Sequence, residues 1–402
     1  MSRLLPADVE ARVARLRAEL AARVGCGEAE VRVVRAPYRL CPLGAHVDHQ
    51  FGPVCALALD HALLFAWVPA EGARIELSSR DFEGDIAFDT GDVGEPQGDW
   101  GDYARGAVRS LTDAGHAVGG LIGRVDGALG ESGLSSSAAV GVAYLLALAA
   151  RGGTSLDGEA LVRAQGRIEQ GYLGLANGLL DPAAVVFSAA DALVRIDTRT
   201  LAHARVHRRG GQDVRFLAVS SGQRAALVAG HQFNDRVAEC REAARRIAEH
   251  IGFEDPAPRL GDLPRDVLAD AQRLLPEHLA RRTRHFLTET ARVDAALDAW
   301  ERSDIAAFGD AMRASARSSI DDYETGSPAM VDLVEILLST PGVHGARFSG
   351  AGYRGCCVAL VDAADVEGVA AEALDRYARV HPELAEHAFA LASAPAAGAG
   401  EL

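Results

Sequence analysis

A glycine-rich turn and three serines run straight into a strong helix former at Asp126–Ala143, DGALGESGLSSSAAVGVA, and no other stretch constrains this chain as tightly. Glycine at 127, 130 and 133 lets backbone N–H groups approach a polyphosphate, and the helix that opens near Ser136 points its positive end at the same place. A serine hydroxyl at the loop end can also reach a hard divalent cation, which takes oxygen ligands. Taken alone, the segment describes equally well a serine-capped helix behind a flexible loop. Any phosphate held here is held without lysine. All 41 basic residues are arginine, which removes a Walker-type phosphate lysine, a protein-kinase strand lysine and a Schiff-base lysine.

The chain of 402 residues, 49% hydrophobic and 24% charged, has material for two ordinary cores. Its net charge of −15 speaks against a nucleic-acid or anionic-membrane surface, because such binding needs clustered cations. A small anionic substrate would need a local cationic pocket. Cys26, Cys41, Cys55, Cys240, Cys356 and Cys357 form no C-x-x-C pair and no zinc-ligand spacing, and the vicinal pair at 356 and 357 reads as two small buried side chains. The first twenty residues scatter charge through a helical apolar period, so they predict an amphipathic helix and not a secretion signal. No apolar run reaches about 18 residues. The chain is expected to be cytoplasmic, without membrane or nucleic-acid partners.

Strand-like runs at Val31–Val34, Val54–Val68 and Arg74–Ser78 are followed by a turn-rich acidic stretch, Asp89–Asp99. Helical patterns occupy Tyr103–Ala114, Ser136–Ala150 and Ala160–Leu173, and a strand-rich patch, Ala192–His207, ends in Arg208-Arg209-Gly210-Gly211. The domain boundary is placed there, giving units 1–211 and 212–402. The second unit opens on a strand, Val214–Ser220, continues with Arg/Glu/Ala helices, and returns to strands at Gly345–Phe348 and Cys356–Val361 before a helix from Asp365. The tail Ala394–Leu402 is expected to fray. Blocks of strands and helices predict an α+β class in both units.

Two further segments carry chemistry. Arg35–Gly52 packs Arg39, His46, Asp48 and His49 into an apolar stretch bracketed by Pro37, Pro42 and Gly44, a density of hydrogen-bonding groups suited to a polyol and expected on a loop beside strands. Arg347–Val358, RFSGAGYRGCCV, is a glycine-rich turn between apolar strands and reads alone as a tight hairpin.

Together and in this order, the three segments resemble the signature motifs of the GHMP kinase superfamily. The segment around Arg39 to Asp48 resembles its galactokinase branch, whose pattern is P-G-R-x-N-x-I-G-E-H-x-D-Y, then G-L-S-S-S-A, then G-G-G-F-G-G. The resemblance implies two domains, the first like ribosomal protein S5 domain 2 and the second ferredoxin-like, with ATP as co-substrate and Mg2+ as cofactor. It also implies a monomer or weak homodimer acting on a small sugar. Gly127, Gly130, Gly133, Leu134, Ser135, Ser136, Ser137 and Ala138 would then hold ATP. In galactokinases a glutamate precedes an aspartate by twelve positions, as Glu169 precedes Asp181 here. Carried over, Glu169 becomes the acidic metal ligand, paired with one hydroxyl of Ser135, Ser136 and Ser137, of which Ser137 is the first choice, Asp181 the catalytic carboxylate facing the C1 hydroxyl, Arg39 its neighbour, and Gly178 part of the sugar site. Without the family, both carboxylates would be read as solvated.

Departures from the galactokinase pattern cluster around the sugar. The glutamate before the histidine, which in galactokinases accepts a hydrogen bond from the sugar 6-hydroxyl, is Ala45, and the glycine before the arginine is Tyr38. A retained glutamate facing a 6-carboxylate at about 4 Å and an effective dielectric near 20 would cost about 4 kcal/mol, on the order of a thousandfold in binding. Ala45 removes that penalty. Arg354, where galactokinases have glycine, and His49 are candidate cations for such a carboxylate. The runs Ala36–Gln50, Ser132–Leu146 and Ala346–Cys357 are similar to those of galacturonokinases, which implies ATP-dependent phosphorylation of D-galacturonate at C1. The aromatic sugar-contact position maps to Phe233, so the substrate set is Ala45, His46, Asp48, Gly178, Phe233 and Arg354. Competing expectations are a kinase for galactose or another C4-axial sugar, against which Ala45 speaks, and a non-catalytic sugar-sensing regulator, against which the intact loop and Asp181 speak.

Overall fold

The computed structural model describes residues 4–127, 134, 136–175, 177–223 and 229–402, with residues 229–232 as backbone alone. The chain runs α1 (Val9–Val24), β1 (Arg32–Leu43), β2 (Pro53–Pro69), β3 (Arg74–Ser79), β4 (Ile86–Asp89), α2 (Asp102–Asp113), β5 (Leu121–Asp126), α3 (Ser136–Arg151), α4 (Gly158–Gly166), α5 (Leu180–Phe187), β6 (Ala192–Asp197) and β7 (His203–His207). It continues through β8 (Val214–Ser220), α6 (Ala229–Ile251), α7 (Arg265–Ala271), α8 (Glu277–Glu301), α9 (Ile305–Asp321), α10 (Pro328–Leu338), β9 (Val343–Phe348), β10 (Cys356–Asp362), α11 (Val366–Val380), β11 (Ala390–Ser393) and β12 (Gly400–Glu401). The class is α+β, as expected.

The larger sheet has the order β12-β1-β2-β5-β3-β4, with β6 joined to β2 and β7 to β6, and among the described residues its one parallel pair is β3–β5. The apolar β2 is buried almost throughout, and its 17 residues give it the length to pair with β6 through its first residues and with β5 through its last. The β1–β2 ladder is irregular between Pro37 and Arg39 and again before Leu43. Proline cannot donate to the ladder, and such breaks re-aim side chains beside functional sites. The predicted loop around Arg39 is therefore a strand, longer than the Val31–Val34 run suggested.

The smaller sheet, β11-β8-β10-β9, is antiparallel. Along β10 the two vicinal cysteines point to opposite faces, Cys356 into the core shared with the larger sheet and Cys357 into the core under α10 and α11, and both are free thiols.

Two expectations are corrected. The helix predicted over Ala160–Leu173 stops at Gly166 and continues as a π-turn over Arg167–Tyr172. The tail does not fray. Ala396 N–H donates to Ala58 O (2.9 Å), Gly398 N–H to Ser188 O (2.9 Å) and Leu402 N–H to Val33 O (2.9 Å), while β12 pairs with β1 and Glu401 forms an ion pair with Arg32. No helix among the described residues is long and apolar enough to cross a membrane.

Candidate active site

Residues predicted from separate motifs converge on one cavity of about 510 Å³ lined by Arg39, Cys41, Ala45, His46, Asp48, Gly178, Asp181, Phe233, Arg347 and Arg354, among others. The irregular end of β1 aims Arg39 inward, and the first turn of α5 presents Asp181 to it. Arg39 Nε and Nη2 grip Asp181 Oδ1 and Oδ2 at 2.7 and 2.9 Å, and Nη1 donates to Ser349 O at 2.7 Å. Burial works against the Arg39 charge, but the Asp181 carboxylate outweighs it and raises the guanidinium pKa above its ordinary value. Such a bidentate pair fixes the plane of the carboxylate as well as its charge.

Gly178 stands against Asp48, and a Cβ there would overlap Asp48 Oδ2, so glycine is needed for this approach. Burial, with Asp181 adding to it, pushes the Asp48 carboxyl up to about 6. His46 takes a left-handed backbone (φ 59) and stacks on Tyr323 with ring centroids 4.3 Å apart. Burial drives its pKa well below the ordinary histidine value, so it faces the cavity as a neutral ring. Phe233, on α6, lines the same wall and sits 6.4 Å from the His46 ring.

The segment that carries Ala45 is gripped from α8. Glu289 Oε1 accepts the N–H groups of Gly44 (2.7 Å) and Ala45 (3.2 Å) and the Ser315 hydroxyl (2.7 Å), while His285 Nε2 meets Ala45 O at 2.9 Å. Burial would raise the Glu289 pKa, but Arg347, Arg292 and His285 overcome it and hold the carboxyl at about 2. The residue whose side chain is missing at 45 is thus fixed by its backbone.

Glu169 lies in the π-turn, a distortion often found at functional positions. The close α3–α4 approach, where a Cβ on Gly141 would overlap the Gln165 side chain, brings Ser137 and Gln165 to the Glu169 carboxylate. Asn177 Nδ2 donates to Oε2 at 3.3 Å, whereas the buried Oε1 has no hydrogen-bond partner among the described residues. Burial above all, then Asp181, pushes this carboxyl up to about 7. An orphaned carboxylate oxygen beside a serine hydroxyl is a hard-donor pair that fits a magnesium ion.

The described ends of the glycine-rich segment are both held by hydrogen bonds. Gly127 N–H donates to Asp81 Oδ2 (2.6 Å), so that amide is already engaged, and Leu134 O accepts the Arg39 N–H (3.3 Å), tying the loop to β1. Ser136 and Ser137 open α3, and Ala138 is buried beneath them. Gly130, Gly133 and Ser135 lie outside the described residues.

One expectation fails here. His49 does not line the cavity. It is buried against Tyr323 Oη (2.9 Å), and burial lowers its pKa to about 3, so it supplies no charge. Arg354 does line the cavity, at its exposed rim. Arg347 was missed: read along the sequence it is one arginine among many, and only the alternation of β9, with Ala346 and Phe348 turned into the opposite core, aims it at the sugar segment.

Comparison with known proteins places these residues in context. Residues 102–189 match the GHMP kinases N terminal domain and residues 296–379 the GHMP kinases C terminal domain. The galacturonokinase of Arabidopsis thaliana is 40% identical over 384 residues, 90% of this chain and 91% of that protein. The galactokinase of Roseiflexus sp. (strain RS-1) is 33% identical over 338 residues, 83% of this chain and 84% of that protein. Among solved structures, Lactococcus lactis galactokinase complexed with galactose superposes with a TM-score of 0.87 at 27% identity, over 96% of this chain and 98% of that one.

Proposed function

The chain belongs to the GHMP kinases, in the group that holds galacturonokinase and the galactokinases, and on that premise we propose that it transfers the terminal phosphoryl group of ATP to the anomeric hydroxyl of D-galacturonate. ADP and D-galacturonate 1-phosphate are the products. The observation that carries the substrate assignment is the charge of the cavity: three guanidinium groups, Arg39, Arg347 and Arg354, face two carboxylates, Asp48 and Asp181, around an alanine at 45. A chain of net charge −15 has gathered a cationic lining where the sugar would lie.

Phosphoryl transfer asks the protein for alignment and charge neutralisation more than for covalent help. Asp181, its plane set by Arg39, orients the C1 hydroxyl and receives its proton. The Arg39 guanidinium occupies both Asp181 oxygens, so electrostatic alignment outranks proton abstraction. Arg39 is also the natural counter-charge for the moving phosphoryl group. Asp48, Gly178, His46 and Phe233 bound the sugar, and Arg354 draws the anion to the rim.

Ser137 and Glu169 would hold Mg2+, which neutralises charge on the nucleotide phosphates when bound. Ser136, Leu134, Ala138 and the glycines at 127, 130 and 133 complete the nucleotide side. Gly127, its amide engaged by Asp81, serves by admitting that carboxylate at close range, since a Cβ there would lie 2.9 Å from Asp81 Oδ2. The division at 211 and 212 is supported by sheet membership, residues 32–207 in one sheet and 214–393 in the other, with only β12 returning.

Phosphorus NMR of the purified protein with Mg-ATP and D-galacturonate should show a new sugar 1-phosphate signal. In Asp181→Asn its rate should fall by about three orders of magnitude with nucleotide KM unchanged. Residual kcat within tenfold of the parent would remove Asp181 from the reaction.

A further inference from the structure

Arg347 is wholly buried, and two of its donors, Nε and Nη2, have no hydrogen-bond partner among the described residues, while Nη1 donates to Cys41 O at 3.3 Å. Buried guanidinium donors left unmade are expensive, and a protein retains such a group when something else satisfies it. Glu289, whose field Arg347 shares, does not do so: its oxygens are taken by Gly44, Ala45, Ser315 and Arg292. Arg347 and Ala45 line the same cavity, and the truncated side chain at 45 leaves space on that wall.

We propose that Arg347 is the residue that reads the substrate's C6 carboxylate, its Nε and Nη2 groups forming the fork and Ala45 leaving the room. This rests on the uronate assignment above and deepens it. A planar fork with two parallel donors matches a carboxylate, whereas a primary alcohol at C6 could satisfy only one of them. The buried donors therefore favour an acid over a neutral sugar twice, by charge and by hydrogen-bond count. Arg354 at the rim attracts the anion, and Arg347 in the interior fixes it.

Specificity constants for D-galacturonate and D-galactose test this in Arg347→Met, Ala45→Glu and Ala45→Gln. Arg347→Met should lower kcat/KM for galacturonate by about a hundredfold and for galactose, which loses one hydrogen bond and no ion pair, by about tenfold. Ala45→Glu supplies a carboxylate from the protein in place of the substrate's. It should raise the melting temperature of the ligand-free protein above that of Ala45→Gln and lower galacturonate kcat/KM by about a thousandfold. Equal losses for both sugars in Arg347→Met would overturn the assignment. If that variant does not fold, an Ala45→Glu protein no more stable than Ala45→Gln and still preferring galacturonate would overturn it. A parent enzyme that prefers galactose defeats the uronate assignment itself, whereas a galacturonate-preferring parent whose ratio survives Arg347→Met defeats only the role of Arg347.

Discussion

In the proposed reaction, Glu169 joins stability to metal binding in a single carboxyl. Its folded pKa, about 7, lies above the ordinary 4.5, so the native state keeps a proton that the unfolded chain releases. The stabilisation from this group is complete below about 4.5 and is lost as pH rises through about 7. Glu169→Gln should therefore match the parent in melting temperature near pH 4.5 and exceed it by a few degrees, roughly, at pH 8, while losing Mg-dependent turnover. In the parent, Mg-nucleotide should bind more tightly as pH rises to about 7 and release close to one proton per metal at pH 6, by calorimetry in buffers of different ionisation enthalpy. Pairs such as Arg39 with Asp181 and Glu169 with Ser137 were legible in the sequence because their spacing follows a family motif. Arg347 and the neutrality of His49 were not, since both depend on which way a side chain faces and on what buries it.

Between α8 and the end of β1, the elements hold the sugar segment by backbone contacts that no residue pattern announces. Glu289 binds the successive N–H groups of Gly44 and Ala45 and His285 binds the Ala45 carbonyl that follows them, so Ala45 is held by its backbone and needs no polar side chain to anchor it. Glu289→Ala should raise the sugar KM about tenfold, leave the nucleotide KM unchanged and lower the melting temperature by several degrees, roughly, because buried donors lose their acceptor. An equal rise in both KM values would mean that α8 supports the fold at large and not the sugar segment. Long apolar elements such as β2, β8 and α3 were legible within a residue or so. The helix break at Gly166 was not, because Arg167–Tyr172 keeps a helical apolar period while its hydrogen bonds slip into a π-turn. Short strands such as β4 and β11 owe their extended form to neighbours and not to their own composition.

Across the whole molecule the site lies where the two sheets meet. Arg39 belongs to β1 of the larger sheet, and its third donor reaches Ser349 O just beyond β9 of the smaller one. A single guanidinium thus sets the plane of the Asp181 carboxylate and ties it to the glycine-rich turn that carries Arg354 at its far end. The α+β class and both sheets could be read from the strand blocks, whereas the return of 394–402 to the edge of β1 could not, because an Ala/Gly-rich segment gains order only from the strand it meets. At this meeting point the proposed function puts a cationic sugar cavity built for a uronate and served by Mg-ATP. It is tested most directly by ADP release from the purified protein with D-galacturonate, D-glucuronate, D-galactose and L-arabinose. The charge of the cavity predicts a kcat/KM for D-galacturonate above that for D-galactose by about a hundredfold or more; preference for galactose, or no turnover with any of the four, would contradict it.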